Sequence, residues 1–403
     1  MLQQLKQEIE KDSWFDASQA YIQPELAEPK QEAIEQAMQI LQNAERPVIF
    51  SGIGMRGAGT ELMELSRKPA NDAIANADTV LMLGTNQPFI DVTNMFEHVK
   101  HVIQVDIDPA KLGKRQRTEL SILADAKKVV KALSQQMKEK EETPWWRANV
   151  KNIANWKNYT QTLEEDKENP LNLYQVYHAI NKVAKKDALF STDVGDVTMT
   201  SVRHLHMGKG QLWRTSGLFA TMGVGLPGAI AAKLDFPNRQ VWSLSGDGAF
   251  SMVMQDLATQ AQEKLPIINV VFSNQQFGFI KDEQETTNKG YLGVEFTGID
   301  FAKVAEAMGV HGFTVNKVEE LDNIFAQAMK LVESGLPVLI DAKITGESPI
   351  PVERLQLDPK QYPQETIDAF KERFHAEELQ PFAVYMEEEG LVEAGKATDL
   401  GGF

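Results

Sequence analysis

With 403 residues, 42% of them hydrophobic and 24% charged, the chain has the make-up of a globular protein long enough for two or more cores. A formal net charge of −16 speaks against nucleic acid as a partner, because phosphate contacts need clustered Lys and Arg, and the run KLGKRQR from Lys111 to Arg117 is short and isolated. The lack of cysteine excludes disulfides, thiolate nucleophiles and thiolate-bound metals, suits a cytoplasmic protein, and directs any metal to oxygen ligands.

The first residues, MLQQLKQEIEKDSWF, form an acid-rich helical pattern without the apolar stretch of a signal peptide, so export is not expected. No apolar run approaches the roughly 20 residues of a bilayer-spanning helix, so no membrane association is expected either. From Arg46, RPVIFSGIGMRGAGTELMEL reads as an apolar strand, a Gly-rich turn and a helix, and ADTVLMLGTNQPF and HVIQVDIDPAKLG read as two further strands with ligand-facing ends. The charged and aromatic stretch KEKEETPWWRANVKNIANWKNYTQTLEEDKENP then reads as a helical connector and the best domain boundary. A second series follows from about Ala188: LFSTDVGD, GLFATMGVGLPGAIAAKL, RQVWSLSGDGAF, LPIINVVFSNQQFGF and LPVLIDAKI. Strands of near-continuous Val, Ile and Leu alternating with helices imply α/β domains built on doubly wound parallel sheets covered on both faces. The expected divisions are 1–36 as a linker, 37–142 and 143–345 as two domains, and 346–403 as a Pro-rich, then helical tail. The seven histidines show no metal spacing, and His204 and His206, alternating in RHLHMG, read as facing a strand edge.

The chemistry concentrates at GDGAFSMVMQDLATQAQEKLPIINVVFSNQQ, Gly246 to Gln276. If VWSLS is a strand and SMVMQDLATQAQEK a helix, Gly246 to Ala249 lie at the carboxyl edge of a parallel sheet, where helix-start N–H groups favour a phosphate. Asp247 would meet that phosphate through a cation, and the next strand, ending at Ser273 and Asn274, would bring an amide oxygen beside it. One carboxylate, one amide oxygen, a backbone carbonyl, phosphate oxygens and water complete the octahedron that Mg²⁺ prefers. Taken singly, Asp247 and Asn274 read as turn caps, and only their joint spacing points to a metal.

A Gly-Asp-Gly turn followed after about 25 residues by Asn at a strand end resembles the fingerprint of thiamine diphosphate enzymes. The segments LFATMGVGLPGAIAAKL, MQDLATQAQEKLPIINVVFSNQQFGFIKDEQE, GVEFTGIDFAKVAEAMG and STDVGDV resemble the cofactor-diphosphate domain of the phosphate-dependent pyruvate oxidases of lactic acid bacteria. RPVIFSGIGMRGAG, TNQPF, QVDIDPAKLGK and ILADAKK resemble that family's central FAD-binding domain. The resemblance implies Mg²⁺ bound by the side chains of Asp247 and Asn274 and the backbone carbonyl of Gln276. It implies a diphosphate on Gly248 and Ala249, and an aminopyrimidine ring received by Ala220, Thr221 and Met222, with Met222 also the apolar wedge under the bent cofactor. Phe279, Ile280 and Glu283 match positions at the substrate end. On the flavin side Gly52 and Gly54 would admit a pyrophosphate and Asp106 a ribose hydroxyl. Ile107, Asp125 and Ala126 would flank the adenosine, and Asn86 to Phe89 the flavin.

Two departures accompany the resemblance. Subunits of the family begin with a pyrimidine-binding domain whose glutamate protonates N1′ of the aminopyrimidine, and this sequence starts after it. At LMELSRKPANDAIANAD, after the helix ending near Arg67, one strand of the flavin domain is missing from the pattern. The expected function is that of a pyruvate oxidase, taking pyruvate, phosphate and O₂ to acetyl phosphate, CO₂ and H₂O₂ with thiamine diphosphate, Mg²⁺ and FAD, impaired in this chain. The competing expectations are an inactive remnant that binds Mg²⁺ and thiamine diphosphate, or another enzyme of the superfamily such as acetolactate synthase. A homo-oligomer, or a partner supplying the pyrimidine-binding domain, is expected.

Overall fold

The computed structural model describes residues 27–55, 73–74, 76–85, 99–138, 141–217, 219–285, 290–346 and 363–395. The expected flavin contacts Asn86 to Phe89 and the proposed gap near Arg67 lie outside the described residues. The described residues fall into two compact units, one formed by those up to Ile153 together with those from Phe382, the other by Ala154–Pro381. Each unit carries one parallel sheet.

In the first unit, β1 (Pro47–Ser51), β2 (Thr79–Leu83), β3 (His101–Asp106) and β4 (Leu120–Leu123) pair side by side in chain order. β2 is buried along its whole length, as its unbroken TVLML requires of a strand covered on both faces. The helices Gln31–Asn43 and Ala126–Gln136 supply one cover, packing Ile34, Ala37, Val129 and Leu133 on Leu81, Ile103 and Val105. Trp145, at the start of the helix Pro144–Glu165, packs edge-on against Phe382.

The second unit holds β5 (Leu189–Thr192), β6 (Leu212–Arg214), β7 (Val241–Gly246), β8 (Ile267–Ser273), β9 (His311–Val315) and β10 (Val338–Lys343), arranged β6-β5-β7-β8-β10-β9. All pairings are parallel. From β5 the chain steps outward to β6 and then returns to the other side for β7, so the crevice between the carboxyl ends of β5 and β7 is the switch point where such sheets bind ligands. Under it lies an aromatic core, with Tyr177 stacked on Phe272 and Trp242 between Phe190 and Phe325. A polar link lies on the opposite face of the sheet. The wholly buried Gln260 donates to the carbonyls of Leu265 and Ile267 and accepts at 2.8 Å from Asn269 of β8, whose amide also reaches the Val338 carbonyl of β10.

Two local expectations change. The run SMVMQDLATQAQEK is not one helix but a short helix Asp247–Ser251, a 3₁₀ turn Met254–Asp256 and a helix Leu257–Gln262. The break comes at Val253, which leaves helical geometry at φ −136°. His204 and His206 do not face a strand edge. His204 closes the helix Asp196–His204, and both rings reach the buried carboxylate of Glu164, His204 at 2.9 Å and His206 at 3.1 Å.

Candidate cofactor and metal site

β7 ends in Gly246, and the turn into the helix Asp247–Ser251 is made by residues buried on the sheet edge. The Asp247 side chain is almost fully buried and accepts two backbone N–H bonds, from Gly248 at 2.9 Å and from Gln275 at 2.7 Å. The second bond crosses to the end of β8, so it fixes the two strand ends against each other. Burial pushes the Asp247 carboxyl up to about 6, against the pull of those hydrogen bonds and of Lys343. A carboxylate so deprived of water gains from a cation more than an exposed one does.

The end of β8 is shaped to present oxygens. Gln275 takes a positive φ of 60°, and Asn274 accepts the N–H of Gln276 at 3.2 Å. Gln276 pairs with Glu295 across a bridge whose two hydrogen bonds belong to the neighbours, Phe277 to Val294 and Phe296 to Gln275, so that pairing leaves the Gln276 carbonyl to other partners. The Gln276 side chain is anchored, donating to the Gly346 carbonyl and accepting from Lys281 at 3.1 Å. A Cβ on Gly248 would come within 2.5 Å of the Phe277 ring, so only glycine lets this turn pack against the loop. These features fit a divalent cation held by one carboxylate, one side-chain amide and one backbone carbonyl. No group of three or more acidic, His or Cys side chains able to hold a metal exists among the described residues.

On the β5 side, Ala220 has a positive φ of 49°, and Ala220, Thr221 and Met222 are exposed. The turn is held from Ser216, whose carbonyl takes the Ala220 N–H and whose hydroxyl takes that of Thr221. Ala249 is buried beside Gly248, while Phe279, Ile280 and Glu283 are exposed on the helix Gly278–Glu285. The structure therefore gathers Asp247, Gly248, Ala249, Asn274 and Gln276 at the adjoining ends of β7 and β8. Asp193 was missed in the sequence, although STDVGD repeats the signal of GDG: an apolar strand ending in an acid with glycine nearby. It is wholly buried at the end of β5.

The flavin-side residues sit differently. A Cβ at Gly52 would lie 2.6 Å from the Gly84 carbonyl and Thr85 Cα, and one at Gly54 would lie 2.7 Å from Gly84 Cα, so both glycines are required by the chain's own packing. Asp125 is the N-cap of the helix Ala126–Gln136, accepting from Lys128 at 3.1 Å, and Ala126 is core. Asp106, at the buried end of β3, accepts the Asp108 N–H at 2.9 Å, and Ile107 is exposed beside it.

This arrangement agrees with the resemblance to thiamine pyrophosphate enzymes, whose cofactor is also called thiamine diphosphate. The family model of their C-terminal TPP-binding domain matches residues 193–342, and that of their central domain matches residues 64–133. The chain belongs to the thiamine pyrophosphate enzymes. It is 46% identical to the pyruvate oxidase of Lactiplantibacillus plantarum over 98% of this chain and 71% of that protein. It is 34% identical to a putative thiamine pyrophosphate-containing protein of Bacillus subtilis over 83% of this chain and 62% of the relative. It shares the same 34% with the acetolactate synthase large subunit of Porphyra purpurea over 68% of this chain and 47% of the relative. The match to the pyruvate oxidase runs over 430 positions, more than the 403 residues of the chain, so that relative carries residues inside it with no counterpart here. Among the described residues no helix is long and apolar enough to cross a membrane.

Proposed function

We propose that the chain carries the diphosphate and flavin portions of a pyruvate oxidase, acting on pyruvate, phosphate and O₂ to give acetyl phosphate, CO₂ and H₂O₂. The observation that supports it most is the buried Asp247 carboxylate tied to Gln275 at the adjoining ends of β7 and β8. In this reading Asp247, Asn274 and the Gln276 carbonyl hold Mg²⁺, Gly248 and Ala249 face the diphosphate, and Ala220 to Met222 receive the aminopyrimidine. Bound there, thiamine diphosphate supplies a nucleophilic carbon and an electron sink, and FAD passes the electrons to O₂. The chain's residues bind, orient and exclude water, with Phe279, Ile280 and Glu283 at the substrate end.

The flavin side offers less, because Gly52, Gly54 and Asp125 are engaged within the protein. The chain is therefore proposed to purify with little FAD. Its activity alone is proposed to be impaired, because the pyruvate oxidase relative carries internal residues with no counterpart here. The exposed Phe219, Met222, Phe279 and Leu292 are proposed to face a second copy of the chain, the setting being cytoplasmic and homo-oligomeric. A second reading, an inactive remnant that still binds Mg²⁺ and thiamine diphosphate, draws on the internal residues of the relative that have no counterpart here.

An oxygen electrode separates these readings. The 403-residue chain with thiamine diphosphate, Mg²⁺ and FAD should give peroxide from pyruvate and phosphate, but far more slowly than the Lactiplantibacillus plantarum relative. No detectable peroxide favours the remnant. Robust turnover by the chain alone would overturn the impairment and make Glu283 the first carboxylate to test. Acetolactate instead of peroxide would overturn the oxidase assignment.

A further inference from the structure

The four acceptor positions of the Asp193 carboxylate are all filled. Oδ1 accepts the N–H groups of Val194 at 2.9 Å and Gly223 at 2.8 Å. Oδ2 accepts the Gly225 N–H at 3.1 Å and the Ser245 hydroxyl at 3.1 Å. The donors come from three places: the turn after β5, the loop leading into the helix Gly225–Asp235, and β7 two residues before Asp247. The loop can come this close only because it is built of glycine. Gly223 has a φ of +89°, and a Cβ at Gly225 would lie 2.2 Å from the Ser245 hydroxyl oxygen and 3.0 Å from Asp193 Oδ2. Just upstream, Phe219 to Met222 are exposed, so little side-chain burial fixes where they stand.

We infer that Asp193 is a positioning residue that ties the Ala220–Met222 turn to the strand carrying Asp247, setting the separation between the ring end and the diphosphate end of one elongated ligand. The inference rests on the thiamine diphosphate reading above. It gives that site a spacer, since a ligand gripped at both ends is bound well only if the two grips keep their distance.

Asp193→Asn tests it with almost no change of shape. In either orientation the amide NH₂ faces two donors and loses both as partners, a defect that costs about a factor of ten or more. Calorimetry with Mg²⁺ and inorganic pyrophosphate should show affinity within about twofold of the parent, while Mg²⁺ and thiamine diphosphate bind at least about tenfold more weakly and the induced circular dichroism of the bound aminopyrimidine weakens. Amide exchange without ligand should quicken at Gly223 and Gly225 and stay slow at Gln275. Equal weakening of both ligands, or unchanged exchange at Gly223 and Gly225, overturns the positioning role. If the unsubstituted chain does not prefer thiamine diphosphate to pyrophosphate, the ring assignment itself fails and the inference falls with it; if it does and Asp193→Asn keeps the preference, only the positioning role fails. Should Asp193→Asn not fold, the parent decides: its Gly223 and Gly225 amides should exchange at least about 100-fold more slowly than free peptide, and fast exchange there overturns the inference.

Discussion

Both units place acids and glycines at the carboxyl ends of parallel strands, yet they use them in opposite ways. In the second unit Asp247 is buried and desolvated, and its neighbours hold it in place without supplying a positive partner at hydrogen-bond distance. In the first, Asp125 caps a helix, and Gly52 and Gly54 accommodate the Gly84–Thr85 backbone. The same residue types are thus left open to a proposed ligand in one place and engaged within the protein in the other. What separates them is whether the local structure already satisfies the group.

The sharpest way to break this contrast is Asp247→Ala. Groups that merely support a metal ligand are worth 10–100-fold in affinity, so loss of the charged ligand should weaken Mg²⁺-dependent thiamine diphosphate binding by at least about 100-fold in calorimetry. The fold should persist at a somewhat lower melting temperature, because Asp247→Ala leaves the Gly248 and Gln275 N–H groups without their acceptor. Unchanged affinity would return Asp247 to the role Asp125 plays. Gly52→Ala probes the other side: its Cβ meets backbone at 2.6 Å, so urea unfolding should show a loss of about 1–3 kcal/mol with no effect on thiamine diphosphate binding. A variant of parental stability would mean that the close approach serves a ligand after all. Asp125→Ala should cost about 1 kcal/mol, the usual value of an N-cap, and leave the second unit's ligand affinity unaltered.

The smallest effect is pH-dependent. Burial alone would raise the Glu164 carboxyl, but the hydrogen bonds from His204 and His206 outweigh it and bring it below its ordinary value of 4.5. The bond to Glu164 raises His206 above 6.5 against partial burial, while burial lowers His204. A raised His206 contributes its stability fully below 6.5 and loses it as pH rises through the folded value; a lowered Glu164 contributes above 4.5 and loses it as pH falls through its folded value. His206→Ala should therefore lower the melting temperature between 4.5 and 6.5 and have little effect at about pH 9. An equal loss at both would show that only packing was removed.

Strands were the most legible part of the sequence, because TVLML, VWSLS and IINVVF are apolar runs of strand length. The adjoining ends of β7 and β8 in Gly246 to Gln276 were legible because two strand-end signals stand at a set spacing. The histidines were misread because their partner, Glu164, lies 40 residues upstream of His204, where no local period could reveal it. The break at Val253 was hidden for the opposite reason: the period continues through it and no Gly or Pro announces the bend. Asp193 went unread because its meaning depends on donors from a loop 30 residues downstream and a strand 52 residues downstream, brought together only by the sheet.

The buried amide pair Gln260–Asn269 has a consequence for fidelity in assembling the site. Side chains alternate between the faces of a strand, so sliding β8 by one position would send Asn269 to the wrong face, strand Gln260 in apolar surroundings, and move Asn274 away from the end of β7. Apolar β8 neighbours such as Ile267, Ile268, Val270 and Val271 are similar enough in bulk to tolerate such a slip; two amides that can satisfy each other in only one alignment are not. The pair meters the strand, so that the count of residues from Asn269 to Gln275 delivers the Gln275 N–H to the Asp247 carboxylate.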